Sequence, residues 1–126
     1  MYIIDTHILL WLLYKPEKLS GLIIEKLTEG SCVYISIVSL WEIAIKQSIG
    51  KQNIEESIET IEKACIDSHI NILQIEAAHL DNIKSIPKIH NDPFDRLIIA
   101  QAKCENLTLI TKDSNILKYD VIKTIN

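Results

Sequence analysis

Four acidic residues, Asp5, Glu42, Asp95 and Asp113, stand where turn chemistry would build a site, each just after an expected strand or in the first turns of an expected helix. Asp5 closes the apolar run Tyr2-Ile3-Ile4, and Asp113 follows Leu107-Thr108-Leu109-Ile110-Thr111. Open parallel sheets bind ligands just beyond such carboxyl ends. Carboxylates gathered there would repel: two like charges about 4 Å apart cost about 4 kcal/mol at an effective dielectric constant of roughly 20. Such a cluster must take up protons or bind a cation. Oxygen-only ligands supplemented by water favour Mg²⁺ or Mn²⁺ over zinc.

Each acid taken singly also has an ordinary explanation. Asp5 could cap the helix that follows it. Glu42 could pair with Lys46 one turn later, worth a few tenths of a kcal/mol on an exposed helix, although its place between Trp41 and Ile43 argues against full exposure. Asp92 and Asp95 fit a capping-box-like pattern, with Asp92 as N-cap and Asp95 at the third helical position. Capping is the role expected of Asp92. Asp95 opens the apolar run Leu97-Ile98-Ile99-Ala100, the mark of a central buried helix. Asp113 could belong to an ordinary turn, Lys112-Asp113-Ser114-Asn115. The weight against these readings is topological, because the elements bring all four carboxylates towards one edge of a sheet.

Those elements follow from hydrophobic runs and their breakers. Strands are expected at residues 2–5, 32–35, 70–73, 107–111 and near 119–124. Helices are expected at 7–14, stopped by Pro16, at about 19–29, from an N-cap at Ser36 through about Ile49, at about 54–67, at 76–83, and from Asp92-Pro93 to about Asn106. Gly50 follows the third helix where a left-handed cap is usual, and Pro93 takes the first position of the last helix. Residues 84–91 read as a loop. Strands alternating with helices at this spacing imply right-handed crossovers and a mostly parallel sheet covered on both faces, a small α/β sandwich.

With 126 residues, 48% of them hydrophobic, the chain can bury a real core in one domain. Three glycines and three prolines leave no low-complexity linker, and disorder is not expected beyond the last few residues. The apolar N-terminus has no basic leader, is interrupted by Asp5 and is too short to span a bilayer, so a cytoplasmic protein without a membrane segment is expected. Cys32, Cys65 and Cys104, odd in number and widely spaced, read as buried free thiols. A net charge of -4 excludes a protein that coats nucleic acid through a broad basic surface. It leaves room for a nuclease with a metal-charged pocket, local cations for phosphates, or a basic groove assembled by dimerisation.

The segments Ile4-Asp5-Thr6-His7, Ser39-Leu40-Trp41-Glu42-Ile43-Ala44-Ile45-Lys46, Asp92-Pro93-Phe94-Asp95-Arg96-Leu97-Ile98-Ile99-Ala100-Gln101-Ala102 and Leu109-Ile110-Thr111-Lys112-Asp113 carry a family pattern. In order and spacing the chain resembles the PIN-domain ribonucleases of the VapC toxin type over nearly its whole length, and the Asp-Pro-Phe-Asp-Arg segment is specific to one branch of that family. The resemblance implies a single PIN-like domain over residues 1–126, a three-layer sandwich around a mostly parallel sheet of about five strands. It implies that Asp5, Glu42, Asp95 and Asp113 are the metal-binding and catalytic acids of a Mg²⁺- or Mn²⁺-dependent endoribonuclease. It further implies the toxin of a toxin-antitoxin pair, with a cognate antitoxin that blocks the site, RNA as substrate in the cytoplasm, and a homodimer. The chemistry would be hydrolysis of a phosphodiester by a metal-activated water, with Asp5 and Asp95 as direct ligands and Glu42 and Asp113 binding through water or orienting the nucleophile.

Thr6, Ser39 and Thr111 flank the acids and are candidates to bond a carboxylate or a phosphate, with capping and strand packing as equal alternatives. Lys46 and Arg96 are candidates for the RNA backbone, against a salt bridge for Lys46 and, for Arg96, a contact to Asp92 or to the antitoxin. The four histidines have no metal-ligand spacing; packing or surface roles are expected, with His90 nearest the site. Trp11, Trp41 and Phe94 are expected in the core or at its rim. A haloacid-dehalogenase-like phosphatase would need an Asp where His7 stands, and a receiver domain would need an adjacent acidic pair near the first strand. The competing class is a catalytically silent RNA- or protein-binding module of the same fold.

Overall fold

The computed structural model describes residues 1–89, 92–119 and 124–125. Five short strands, β1 (Tyr2–Ile4), β2 (Val33–Ser36), β3 (Ile70–Leu73), β4 (Thr108–Ile110) and β5 (Thr124–Ile125), form one sheet in the order β3-β2-β1-β4-β5. Every pairing is parallel, and Ile4 stands opposite Ile35 on one side and Ile110 on the other. The central strands are mostly apolar, Tyr2-Ile3-Ile4 in β1, Val33-Tyr34-Ile35 in β2 and Leu109-Ile110 in β4, because both faces are covered. Ile4, Ile35 and Ile110 enter one core layer, whereas Ile3 and Leu109 enter the other.

The first layer is closed by α1 (Thr6–Tyr14), α2 (Gly21–Thr28) and α4 (Ile58–Asp67), through Ile8, Leu9, Ile23, Ile61 and Cys65. The opposite layer is built from α6 (Pro93–Cys104), whose residues Leu97 to Ala102 are all buried, with Ile83 of α5 (Ala77–Ile83) packed against it. The helix α3 (Ile37–Ser48) serves both layers, Leu40 and Ile43 on one side and Val38 on the other. The result is a three-layer α/β sandwich with a central parallel sheet.

Connectivity sets the site. From β1 the chain steps outward to β2 and then β3, and then returns past β1 to β4 and β5. The direction of winding therefore reverses between β1 and β4, and ligands of open α/β sheets bind beyond the strand ends at that reversal. Asp5 follows β1 and Thr111 follows β4, so the two chains that leave the switch point carry Asp5 on one side and Thr111 to Asp113 on the other.

Several boundaries differ from those expected. The helix anticipated from residue 54 begins at Ile58, because Ser57 caps it with its hydroxyl on the Thr60 N–H. Residues 51–56 instead form a loop held by the Gln47 amide, which donates to the Ile54 and Glu56 carbonyls at 2.9 and 2.8 Å. The last strand, expected near 119–124, lies at Thr124–Ile125 and follows a 3-10 turn at Ile116–Lys118. Cys65 is buried, and burial pushes its thiol up to about 11. Cys104 is only partly buried and Cys32 is exposed, against the expectation of three buried thiols; all three are free. No helix among the described residues is long and apolar enough to cross a membrane.

Candidate active site

Asp5 ends β1 and caps α1: its Oδ1 accepts from the Ile8 N–H at 2.9 Å. The expected capping role is thus present, but it does not account for the other oxygen. Oδ2 accepts the hydroxyl of Thr111 from the neighbouring strand. Asp5 is 3% exposed, and burial raises its carboxyl above the usual range; the two hydrogen bonds and His7 act against burial, and the charge of Asp113 adds to it. Both donors are neutral, and among the described residues each oxygen accepts a single bond, so lone pairs remain for a further ligand.

Thr111 is wholly buried and reaches both ways, donating to Asp5 and accepting the Asp113 N–H at 3.0 Å. Asp113 in turn accepts the N–H groups of Asn115 and Ile116, which fold the chain into the expected turn. One hydroxyl therefore fixes both the acid after β1 and the loop that carries the acid after β4.

Glu42 lies in the second turn of α3 and is 5% exposed. Lys46 Nζ sits 2.8 Å from its Oε2, and Thr6 Oγ1 is 2.7 Å from its Oε1 and 2.9 Å from Ser39 Oγ. A carboxylate only accepts, so Thr6 donates to Glu42 and takes the Ser39 hydroxyl in return. The salt bridge expected as the ordinary explanation for Glu42 is real, but it is the bond of a nearly buried carboxylate. Thr6 and Ser39 act on Glu42, and Thr111 on Asp5.

Asp92 is the N-cap of α6, its Oδ1 accepting from Phe94 and Asp95 N–H at 2.8 and 3.4 Å. Asp95 occupies the third helical position. Because α6 enters β4 through the short link at residues 105–107 and returns antiparallel to it, the N-terminus of α6 opens at the sheet edge where Asp5 and Asp113 lie. Trp41 and Phe94 meet edge to face at 5.0 Å and tie this end of α6 to α3 beside Glu42. Trp41, expected in the core or at its rim, is 54% exposed. Arg96 Nη2 donates to the Ile83 and Ile86 carbonyls, both at 3.4 Å. His90 lies outside the described residues.

The acids suit a hard, hydrated cation. Among the described residues, no three carboxylates have ligand oxygens all within 4.8 Å of one another, as a closed cage of protein ligands would. Mg²⁺ keeps several waters and is usually held by one or two carboxylates, which fits a buried carboxylate with neutral donors and a second acid nearby. His79, Cys104 and Glu105 do meet that distance. There, however, His79 Nδ1 accepts the Glu76 N–H at 3.0 Å, which places the ring proton on Nε2, directed at Glu105 2.9 Å away. A metal on Nε2 would force the proton to Nδ1 against a backbone donor, so this cluster reads as a buried tie between α5 and the end of α6. Sequence periodicity had no means of finding it, since Glu105 lies 26 residues from His79.

The model of the PIN domain matches residues 2–122. No curated protein matches the chain. Among solved structures, VapBC2 from Rickettsia felis bound to a DNA fragment from its promoter aligns with a TM-score of 0.75 at 19% identity, over 99% of this chain and 97% of that one. DNA-bound VapBC from Salmonella typhimurium aligns at 0.71 and 15% identity, over 98% and 96%. A toxin-antitoxin complex from Klebsiella pneumoniae aligns at 0.65 and 16%, over 100% and 97%. With a parallel five-stranded sheet, acids flanking its switch point and a domain model matched over nearly the whole length, the chain belongs to the PIN-domain family.

Proposed function

We propose that this protein is a Mg²⁺- or Mn²⁺-dependent endoribonuclease, and that Asp5, Glu42, Asp95 and Asp113 form its active site. The observation that carries the reading is Asp5: a buried carboxylate at the switch point that, among the described residues, is hydrogen-bonded by neutral groups alone, its pKa raised by burial and further by Asp113. A cation is what such a group lacks. Asp5 and Asp95 would hold the ion, with Asp113 oriented by Thr111 and Glu42 held by Thr6 and Lys46. When bound, the ion supplies charge stabilisation for the phosphate and activation of water. Asp92 and Arg96 fix the start of α6 and so the placement of Asp95.

The wider reading is the toxin of a toxin-antitoxin pair, a cytoplasmic homodimer of single-domain chains neutralised by a cognate antitoxin. Its support is the resemblance to VapC-type ribonucleases and the likeness in fold to toxin-antitoxin complexes. The deciding experiment is cleavage of single-stranded RNA by purified, antitoxin-free protein. Activity with Mg²⁺ or Mn²⁺ that excess EDTA abolishes is expected. A folded protein that binds RNA and never cuts it under either metal would be the silent module instead.

A further inference from the structure

Two hollows adjoin the candidate site. One, of about 230 Å³, is lined by His7, Trp11, Lys112 and Asp113 and so contains a carboxylate of the site itself. The second, of about 410 Å³, shares His7 and Trp11 with it and continues along α1 past Tyr14 and Lys15 to Lys46 and Lys51. The two form one groove leading away from Asp113, with the His7 and Trp11 rings, 6.2 Å apart, at the junction. Lys46 is committed to Glu42. Lys15, Lys51 and Lys112 are exposed, and among the described residues no ion pair holds them. Lys18 adds a fourth cation, 5.9 Å from the centre of the Trp11 ring. The cationic stretch ends where Glu55 and Glu56 line the next hollow beside Tyr14.

On a chain of net charge -4 this is a local concentration of cations, interleaved with aromatic rings and opening on the acids. Those are the components of a single-strand track: ammonium groups for the backbone and rings for the bases. We infer that the groove from Asp113 to Lys51 holds the single-stranded RNA flanking the scissile phosphate, with Lys15 and Lys51 on the backbone and Trp11 against a base. This rests on the nuclease reading proposed above. A strand whose phosphate lies at the acids must leave them along the surface, and this groove adjoins them and carries the complementary charge.

The test measures fluorescence anisotropy of a labelled single-stranded RNA in EDTA, where binding is read without cleavage, followed by kinetics with Mn²⁺. Lys15→Ala with Lys51→Ala, both at exposed positions, should weaken binding about tenfold and flatten its dependence on salt by roughly the share of two phosphate contacts. With metal, KM should rise far more than kcat falls. Trp11→Ala should also lose about tenfold, and Trp11→Phe should recover most of it; thermal melts verify folding. Wild-type affinity, KM and salt slope in the double-lysine variant would overturn the groove while leaving an active wild-type nuclease intact. So would a double-lysine variant that loses only binding of a protein partner, which would make the groove a peptide site. A wild-type protein that binds RNA in EDTA with the expected dependence on Lys15 and Lys51, yet never cuts, would overturn the nuclease reading and retain the groove.

Discussion

Thr111 donates its hydroxyl to Asp5 Oδ2 from 106 residues away, and its own Oγ1 accepts the Asp113 N–H. Thr111→Val keeps shape but removes both functions. It should cost on the order of 1–3 kcal/mol, the penalty for leaving buried polar groups unpaired, and raise the Asp5 carboxyl further, because a bond that opposes burial is gone. The acid limb of metal-dependent cleavage should therefore move to higher pH. Thr111→Ser should restore both. Urea unfolding and a pH–rate profile are the measurements; an unmoved acid limb in Thr111→Val would remove Thr111 from the site.

The direction of the Asp5 shift also governs stability. Its folded pKa lies above the unfolded value, so its favourable contribution is fully present below the unfolded carboxyl pKa, near 3.9, and is lost as pH rises through the folded value. Above the unfolded value, the buried carboxyl therefore destabilises metal-free protein relative to its state in acid. Asp5→Asn, which keeps a capping oxygen, should be more stable than wild type at pH 7 without metal, with the gain vanishing at acid pH. Saturating Mn²⁺ should raise the wild-type Tm at pH 7 and leave the variant nearly unchanged. Equal responses to Mn²⁺ would separate Asp5 from metal binding.

Most of this architecture was legible in local chemistry. The Ser36 cap, the positive φ of 70° at Gly50 and the Asp92-Pro93 helix start follow from residue types acting on their own backbone. The start of α4 was misread because the apolar spacing of Ile54, Ile58 and Ile61 continues through a loop whose ties to Gln47 are side chain to backbone. Whether Trp41 lies in the core or at its rim was not readable, because an aromatic in an apolar helical run does not show which neighbour covers it. Thr6, Ser39 and Thr111 could be picked out as candidates to bond a carboxylate because they flank the acids; which acid each holds could not, since Thr111 to Asp5 and Thr6 to Glu42 are bonds between elements distant in sequence.

Lys46 should stabilise the protein chiefly by pairing Glu42. Lys46→Met leaves a nearly buried carboxylate with, among the described residues, only the Thr6 hydroxyl. Because Lys46 itself is 39% exposed, the loss is discounted from that of a fully buried pair, to about 1–2 kcal/mol. The double variant Lys46→Met, Glu42→Gln should recover most of it. If Glu42 is also needed for cleavage, this stable double variant should be inactive. Denaturation of the single and double variants separates the two roles, and an undiminished Lys46→Met would show the ion pair to be energetically idle.

Asp92 and Asp95 begin the same helix and are expected to separate under the same substitution. Asn caps as well as Asp, so Asp92→Asn should keep the bonds to Phe94 and Asp95 N–H, change stability by less than about 1 kcal/mol and retain most activity. Asp95→Asn should still fold, since Asn matches Asp in size and keeps an acceptor oxygen, and the lost interaction with the helix dipole amounts to about 0.3–1 kcal/mol. It should nevertheless lose metal-dependent cleavage by orders of magnitude, because a neutral amide is a poorer ligand for a hard cation than a carboxylate. Cleavage rates at saturating Mn²⁺, alongside melts of both variants, decide the assignment. An active Asp95→Asn beside a dead Asp92→Asn would make Asp92 the metal ligand.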